Sequence, residues 1–176
     1  MLTLLVGGAR SGKSALAERL AERSGRPVVY VATAPRIPGD DDLDERIRRH
    51  RADRPQHWVT IEEELDLAAA IDAAGDALVV VDCLTVWVGN LLHHGRDDAE
   101  VLDASELALA AALRRVDAVV VSNEVGFGIV PGDELSRGYR DLLGRVNQQW
   151  TTAADRALLL VAGRALRLHD PDELLP

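Results

Sequence analysis

The sequence has 176 residues, of which 47% are hydrophobic and 28% charged, and its formal net charge is -9. This composition excludes a disordered or fibrous chain, and the excess of acidic residues argues against a nucleic-acid partner. The single cysteine excludes an intrachain disulfide, and no apolar run approaches the roughly 20 residues that a membrane helix needs. We therefore expect one domain over residues 1–176, in the cytoplasm and without a membrane span.

Strands and helices are predicted to alternate along the chain. Short apolar runs predict strands at 2–6, 27–33, 77–83, 117–126 (with its turn) and 156–163, with a further short strand at 57–61. Helical spacing and capping residues predict helices at 13–25, 40–51, 62–74, 84–92, 105–116 and 133–155. Residues 94–103 are predicted to be a loop or a short irregular helix, and 156–163 is the last predicted strand. The alternation indicates an α/β fold with a mostly parallel central sheet and helices on both faces.

The segment GGARSGKS at 7–14 matches the phosphate-loop pattern G-x-x-x-x-G-K-[ST] and lies between the first strand and the first helix. Its backbone N–H groups and the helix N-terminus are predicted to hold a polyphosphate. Lys13 is the only lysine among 20 basic residues, which indicates a role that arginine does not fill. An accidental glycine-rich turn is the alternative. The predicted binding residues are Gly7, Gly8, Ala9, Arg10, Ser11, Gly12, Lys13 and Ser14.

Two side chains are predicted to hold a magnesium ion together with the phosphates. Ser14 would offer its hydroxyl. Asp82 closes the run LVVVD and would be the second anchor, usually through a water molecule. For Asp82, an exposed aspartate at a strand end with no metal is the alternative.

The segment RIRRHRADRP at 46–55 places one histidine among five arginines. On a helix, Leu43, Ile47 and His50 share one stripe, so His50 would lie at the edge of the buried face near the helix C-terminus. One interpretation is a solvated charged face with a partly buried histidine. The other is a nucleophile, because arginines bind phosphate oxygens and lower the pKa of a nearby imidazole. A neutral imidazole can attack an α-phosphate and expel pyrophosphate.

Six separated blocks resemble, in order, the bifunctional adenosylcobinamide kinase / adenosylcobinamide-phosphate guanylyltransferase family of cobalamin biosynthesis. They are GGARSGKS (7–14), YVATA (30–34), RIRRHRADRP..W.T.EE (46–63), VVDCLTVWVGNLL (80–92), SNEVGFGIVP (122–131) and YRDLLGRVNQQ...AAD (139–155). The resemblance implies a single P-loop NTPase domain with a recombinase-like core and a homotrimeric assembly. It also implies GTP and ATP as substrates with Mg²⁺, and adenosylcobinamide and its phosphate as partners.

The resemblance also implies roles for individual residues. His50 matches the histidine that carries GMP as a covalent intermediate, and with Lys13 it is a predicted catalytic residue. A carboxylate such as that of Glu62 can accept hydrogen bonds from the N1–H and N2–H₂ edge of guanine, which would favour GTP over ATP. The implied nucleotide contacts beyond the phosphate loop are Ala32, Thr33, Ala34, Arg51, Ala52, Asp53, Arg54, Glu62 and Asp82.

The segment SNEVGFGIVP at 122–131 permits two interpretations. Its glycines and proline are typical of a tight connection from a strand to a helix. Asn123 and Glu124, however, lie just past the carboxyl end of a predicted parallel strand, where ligands bind in open α/β sheets. The resemblance favours an active-site loop.

Two alternatives to a bifunctional transferase stay open. The first is a plain small-molecule kinase, in which His50 only contacts the substrate and no covalent adduct forms. The second is a nucleotide-gated binding module whose output is a conformational state. The shortness of the chain disfavours this second alternative.

Overall fold

The structure is a computed structural model that describes residues 1–35, 45, 48, 51 and 54–174. Its strands are β1 (Leu2–Gly7), β2 (Val28–Ala32), β3 (Val59–Glu62), β4 (Leu78–Asp82), β5 (Ala118–Asn123), β6 (Arg156–Val161) and β7 (Arg164–Leu168). Its helices are α1 (Lys13–Arg23), α2 (Leu67–Ala73), α3 (Leu84–His93), α4 (Asp98–Leu113) and α5 (Glu134–Ala153), followed by a 3₁₀ helix (Pro171–Leu174). Within these described ranges, no helix is both long enough and apolar enough to span a membrane.

The strands form one sheet in the order β3-β2-β4-β5-β1-β6-β7. The first six strands in this order are parallel to one another, and β7 pairs antiparallel with β6. The prediction of a mostly parallel sheet is confirmed. β5 lies between β1 and β4, so the strand that enters the phosphate loop and the strand that ends in Asp82 are not neighbours.

Helices cover both faces of the sheet, which buries the strands on both sides as parallel sheets require. Successive residues of a strand point to opposite faces. Val29 and Val31 therefore belong to the core that α2, α3, α4 and α5 cover, whereas Val28 and Tyr30 belong to the core that α1 covers. The helix that follows the phosphate loop thus packs on one face, and the later helices pack mainly on the other.

The three tryptophans, Trp58, Trp87 and Trp150, are buried. Trp87 Nε1 donates to Leu65 O, and Trp150 Nε1 donates to Ser105 Oγ, so both ring N–H groups find an acceptor inside the protein. Four histidines, none of which is a predicted site residue, are exposed: His57, His93, His94 and His169.

The helix predicted at 62–74 is shorter than expected. It begins at Leu67, because the Asp66 side chain accepts a hydrogen bond from Ala69 N–H and caps the helix at that point. Before the cap, Glu63 Oε1 accepts from the N–H groups of Leu65 and Asp66 and closes a turn. Local side-chain bonds to the backbone therefore compete successfully with helix extension in this segment.

The prediction of a loop or short irregular helix over 94–103 is wrong from Asp98 onward. α4 begins there, and it includes most of the helix that was predicted at 105–116. Asp97 and Glu100 form a capping box, in which each side chain accepts from the backbone N–H of the other residue. The cap fixes the helix start where the apolar spacing is weak, and periodicity alone therefore misses the first turns.

The prediction that 156–163 is the last strand is also wrong. The chain turns at Ala162 and Gly163, whose φ angles are 49° and 76°, and continues as β7. Two residues with positive φ form the tight hairpin turn that matches the twist of the paired strands. All five β7 residues are exposed, so the segment lacks the alternation of buried and exposed residues that would predict a strand.

Candidate nucleotide site

Most of the predicted site residues lie at one edge of the sheet. The carboxyl ends of parallel strands meet at the same edge, and ligands bind there in open α/β sheets. The strand register pairs Ala32 with both Glu62 and Asp82, and pairs Gly7 with Asn123. Five separate parts of the sequence therefore meet at the edge that carries the phosphate loop.

Glycines give the phosphate loop its shape. A Cβ atom added to Gly7 would lie 2.4 Å from the carbonyl oxygen of Leu160, so no larger residue fits where β1 passes β6. Gly12 has a φ of 97°, which favours glycine, and it directly precedes α1. Gly163 N–H donates to Ser11 O at 3.0 Å, so the hairpin turn between β6 and β7 supports the loop from outside.

Lys13 is buried at the first position of α1, with 6% of its surface exposed. Its Nζ donates to Gly7 O at 2.9 Å and to Gly8 O at 2.7 Å. Burial lowers the pKa of Lys13, whereas the nearby groups Cys83 and Asp82 act in the opposite direction. The cation thus lies inside the phosphate loop, at the N-terminus of a helix that favours anions.

Asp82 accepts a hydrogen bond from a buried tyrosine. Tyr30 Oη donates to Asp82 Oδ2 at 2.6 Å. Burial, and next the Asp82 charge, raise the pKa of Tyr30 well above its usual value, so Tyr30 stays a donor at neutral pH. The guanidinium of Arg54 lies 3.7 Å from the centre of the Tyr30 ring on one side, and Trp58 stacks on Tyr30 with 6.4 Å between ring centres.

The segment after β2 is joined to the segment after β4 by buried hydrogen bonds. Thr33 Oγ1 accepts from Cys83 N–H and donates to Cys83 O, both at 2.8 Å, and the Asp82–Cys83 peptide bond is cis. Asn90 Nδ2 donates to Thr33 O at 2.8 Å. Thr33 and its neighbours Ala32 and Ala34 are therefore held next to Asp82.

We expect the Cys83 thiol to be unreactive in the native protein. Burial, followed by the Asp82 charge, raises the pKa of Cys83 to about 11, so only about one molecule in a thousand carries a thiolate at pH 8. Alkylation by iodoacetamide at pH 8, followed by mass spectrometry, should be at least tenfold slower for the native protein than for protein unfolded in urea. Equal alkylation rates in the native and the unfolded protein would show that the Cys83 thiol is accessible and that its pKa is not raised.

Arg51 contacts the end of β3, which is the end of this edge farthest from the phosphate loop. Arg51 Nη1 lies 3.4 Å from Glu62 Oε1, and both side chains are exposed. Arg48 forms an ion pair with Glu45. Because strands lie roughly 4.8 Å apart, the end of β3 is roughly 19 Å from the end of β1, counted across four strand spacings. Glu62 therefore lies far from the phosphate loop, at a distance that an extended nucleoside triphosphate can span.

Three predicted site residues lie outside the residues that the structure describes, and their positions stay predictions: His50, Ala52 and Asp53.

Sequence reasoning missed a polar network behind the site. Asn123 N–H donates to Thr85 Oγ1 at 2.6 Å, Ser122 Oγ donates to Asn147 Oδ1 at 2.6 Å, and Asn147 Nδ2 donates to Asn123 O. Tyr139 Oη donates to Thr85 O at 3.0 Å. These residues come from three distant segments, α3, β5 and α5, so no local sequence pattern predicts their contact. The network fixes the end of β5 beside the phosphate loop.

A mostly parallel sheet with a glycine loop between β1 and α1 defines a P-loop nucleotide-binding protein. The assembled ATPase EscN from the type III secretion system of enteropathogenic E. coli has this fold, with a TM-score of 0.56 and 14% identity over 92% of this chain and 43% of that one. A prototypical ATPase of the type III secretion system of pathogenic bacteria gives a TM-score of 0.53 and 13% identity over 91% of this chain and 51% of that one. This chain thus spans about half the length of those ATPases, and the likeness shows the fold alone.

The particular family follows from sequence similarity. The family model of cobinamide kinase / cobinamide phosphate guanyltransferase matches residues 3–168. The bifunctional adenosylcobalamin biosynthesis protein CobP of Pseudomonas aeruginosa is 46% identical, over 96% of this chain and 97% of its own length. The protein CobU of Salmonella typhimurium, which has the same description, is 42% identical over 96% and 99%. The chain belongs to this family, so the predicted family and enzyme class, a kinase and nucleotidyltransferase, are confirmed.

Proposed function

We propose that this chain catalyses both reactions of its family in sequence. It phosphorylates the hydroxyl of adenosylcobinamide with a nucleoside triphosphate, and it then transfers GMP from GTP, through a covalent bond to His50, onto the new phosphate. The products are adenosylcobinamide-GDP and pyrophosphate. The observation that supports this most directly is the buried Lys13 inside the phosphate loop, at the same sheet edge as Asp82 and Glu62.

In the kinase step, the loop amides and Lys13 bind the β- and γ-phosphates and stabilise the charge that develops during transfer. Ser14 and Asp82 suit a magnesium ion, because Mg²⁺ takes one or two protein oxygens together with phosphates and waters. Asp82 already has one oxygen oriented by Tyr30, and its charge reaches Lys13. When bound, Mg²⁺ neutralises phosphate charge.

We expect Tyr30→Phe to weaken magnesium binding, because the variant removes only the hydroxyl that orients Asp82. Loss of a partner that orients a metal ligand typically lowers metal affinity by about tenfold or more. The magnesium concentration that half-saturates GTP binding, measured by calorimetry, should rise by about that factor. Tyr139→Phe is the matched control, since its hydroxyl donates to Thr85 O and not to Asp82. An unchanged magnesium requirement in Tyr30→Phe would show that Asp82 does not depend on this bond.

In the transfer step, the nucleotide lies along the sheet edge. Ala32, Thr33 and Ala34 contact it from the end of β2, and Glu62 accepts from the guanine edge. Arg51 and Arg54 offer guanidinium groups to phosphate oxygens, and their neighbours in the sequence, Ala52, Asp53 and His50, are the further residues that we assign to this step. Three observations support this arrangement: the distance between the ends of β1 and β3, the contact of Arg51 with Glu62, and the position of Arg54 over the Tyr30 ring.

The active form is a cytoplasmic homotrimer of single-domain subunits. Exposed apolar side chains on the β6–β7 hairpin, Val161 and Leu166, support an assembly because isolated subunits rarely leave such patches in water. Size-exclusion chromatography with light scattering should give three times the chain mass of 19.1 kDa. A monomer at micromolar concentration would contradict this.

The two-step function is tested with labelled nucleotide and adenosylcobinamide. Label in the γ-phosphate should appear in adenosylcobinamide phosphate, and label in the α-phosphate of GTP should appear first on the protein and then in adenosylcobinamide-GDP. Transfer of γ-label without any α-label on the protein would instead support a plain kinase. If neither label is transferred to the corrinoid or to the protein, the proposal is wrong.

A further inference from the structure

Glu124 directly follows β5 and lies beside the phosphate loop. Its backbone N–H donates to Gly7 O at 3.1 Å, and the same oxygen accepts from Lys13 Nζ at 2.9 Å. The Glu124 main chain and the Lys13 ammonium group therefore meet at a single carbonyl. This places the start of the loop that follows β5 next to the phosphate loop.

Of the three strands that lead to Glu124, Asp82 and Glu62, the one that leads to Glu124 lies next to β1. β5 is next to β1, which corresponds to roughly 5 Å, whereas Asp82 is roughly 10 Å and Glu62 roughly 19 Å away across the strand order. Asp82 is held by Tyr30, and Glu62 faces Arg51. The Glu124 carboxylate accepts from Gly126 N–H at 2.6 Å, within its own loop.

The loop that follows Glu124 presents apolar side chains to solvent. Phe127, the only phenylalanine of the chain, is 80% exposed, Ile129 is 98% exposed and Val130 is 64% exposed. The far end of the loop is anchored, because Arg137 Nη1 donates to Pro131 O at 2.9 Å and the Asp133 side chain caps α5. Contiguous exposed apolar side chains on an anchored loop mark a binding surface.

We propose that the loop from Glu124 to Asp133 is the acceptor side of the site, where a corrinoid alcohol binds. The apolar side chains contact the methyl-rich face of the corrin ring, and the Glu124 carboxylate accepts the proton of the hydroxyl. The hydroxyl oxygen bonds to the γ-phosphorus, the bond from that phosphorus to the bridging oxygen breaks, and the nucleoside diphosphate leaves with the electron pair. The inference rests on the proposed function. Its occupant is the corrinoid, the phosphate acceptor, because the loop begins next to the phosphate loop, where Glu124 N–H donates to Gly7 O.

The role of Glu124 is tested by separating the two reactions. In Glu124→Gln, kcat of the kinase step should fall by about 10²–10⁴-fold with little change in the KM for nucleotide. Guanylyl transfer to supplied adenosylcobinamide phosphate involves no hydroxyl that must lose a proton. Its rate should therefore change by less than about threefold, which is small compared with the loss of a catalytic group. Glu134→Gln, which removes an exposed carboxylate from the first position of α5, is the matched control.

Kinase activity of Glu124→Gln similar to that of Glu134→Gln would overturn the proposal. Equal loss of both reactions would overturn it as well, because it would assign Glu124 to nucleotide binding. If the wild-type protein performs neither reaction, the failure belongs to the proposed function and not to Glu124.

The binding surface is tested with Phe127→Ser and Ile129→Ser, using calorimetric titration with adenosylcobinamide. Loss of one buried apolar contact should raise the Kd for the corrinoid by roughly tenfold and leave the Kd for GTP unchanged. Val116→Ser is the matched control, because Val116 is 56% exposed and precedes β5, at the opposite edge of the sheet. An unchanged Kd for the corrinoid would overturn the proposal. So would a change in solution mass, which would identify the loop as an interface between copies of the chain.

Discussion

His50→Ala should abolish covalent labelling by GTP and leave the kinase step intact. Removal of a nucleophile eliminates the intermediate itself, so guanylyl transfer should fall below about one-thousandth of the wild-type rate. The kinase step transfers the γ-phosphate to the acceptor hydroxyl and needs no bond to His50. Mass spectrometry of protein incubated with GTP and Mg²⁺ should find one added GMP on the wild-type peptide and none on the variant.

His57→Ala is the matched control for this experiment, because His57 is exposed and lies in the same part of the sequence. It should keep full labelling. A GMP adduct on His50→Ala would assign the nucleophile to another residue, and absence of an adduct from the wild-type protein would favour direct transfer.

The parts of the site that sequence alone predicts are those whose chemistry is local. The phosphate loop is a run of eight residues between a strand and a helix, and its geometry agrees with the prediction at Gly7, Gly12 and Lys13. The sequence also predicts the order of strands and helices, because buried parallel strands are continuous apolar runs. Two described elements lack a sequence prediction: β7, which is exposed along its whole length, and the 3₁₀ helix Pro171–Leu174.

The contacts that complete the site are long-range and could not be predicted in this way. Tyr30 and Asp82 are separated by 52 residues, and only the parallel pairing of β2 with β4 brings them together. In the sequence, Tyr30 fits the pattern of an apolar strand residue, and only the structure shows that its hydroxyl donates to the Asp82 carboxylate. Glu124 was predicted to lie at a strand end, but its proximity to Lys13 depends on β5 lying next to β1, an order that the sequence does not reveal.

Lys13→Met should disable both reactions, because one loop binds the triphosphate in each. Loss of a group that stabilises developing charge costs about 10²–10³ in kcat, so kinase turnover and the rate of GMP labelling should both fall by that factor. The two rates are measured separately, with γ-labelled and α-labelled GTP. Loss of the kinase rate alone would show that GTP for the transfer step binds away from this loop.

Lys13→Arg separates charge from shape at the same position. The Nζ atom lies 2.9 and 2.7 Å from two loop carbonyls in a buried space, and a planar guanidinium cannot occupy that point with the same geometry. We therefore expect Lys13→Arg to be nearly as inactive as Lys13→Met. The loss in Lys13→Met should not come from unfolding. Burial lowers the pKa of Lys13, which means that keeping this group charged costs the folded protein stability, so Lys13→Met should melt no lower than the wild type without nucleotide. A Lys13→Arg variant with full activity would show that the loop requires only a positive charge, and the presence of a single lysine among nineteen arginines would then have no catalytic reason.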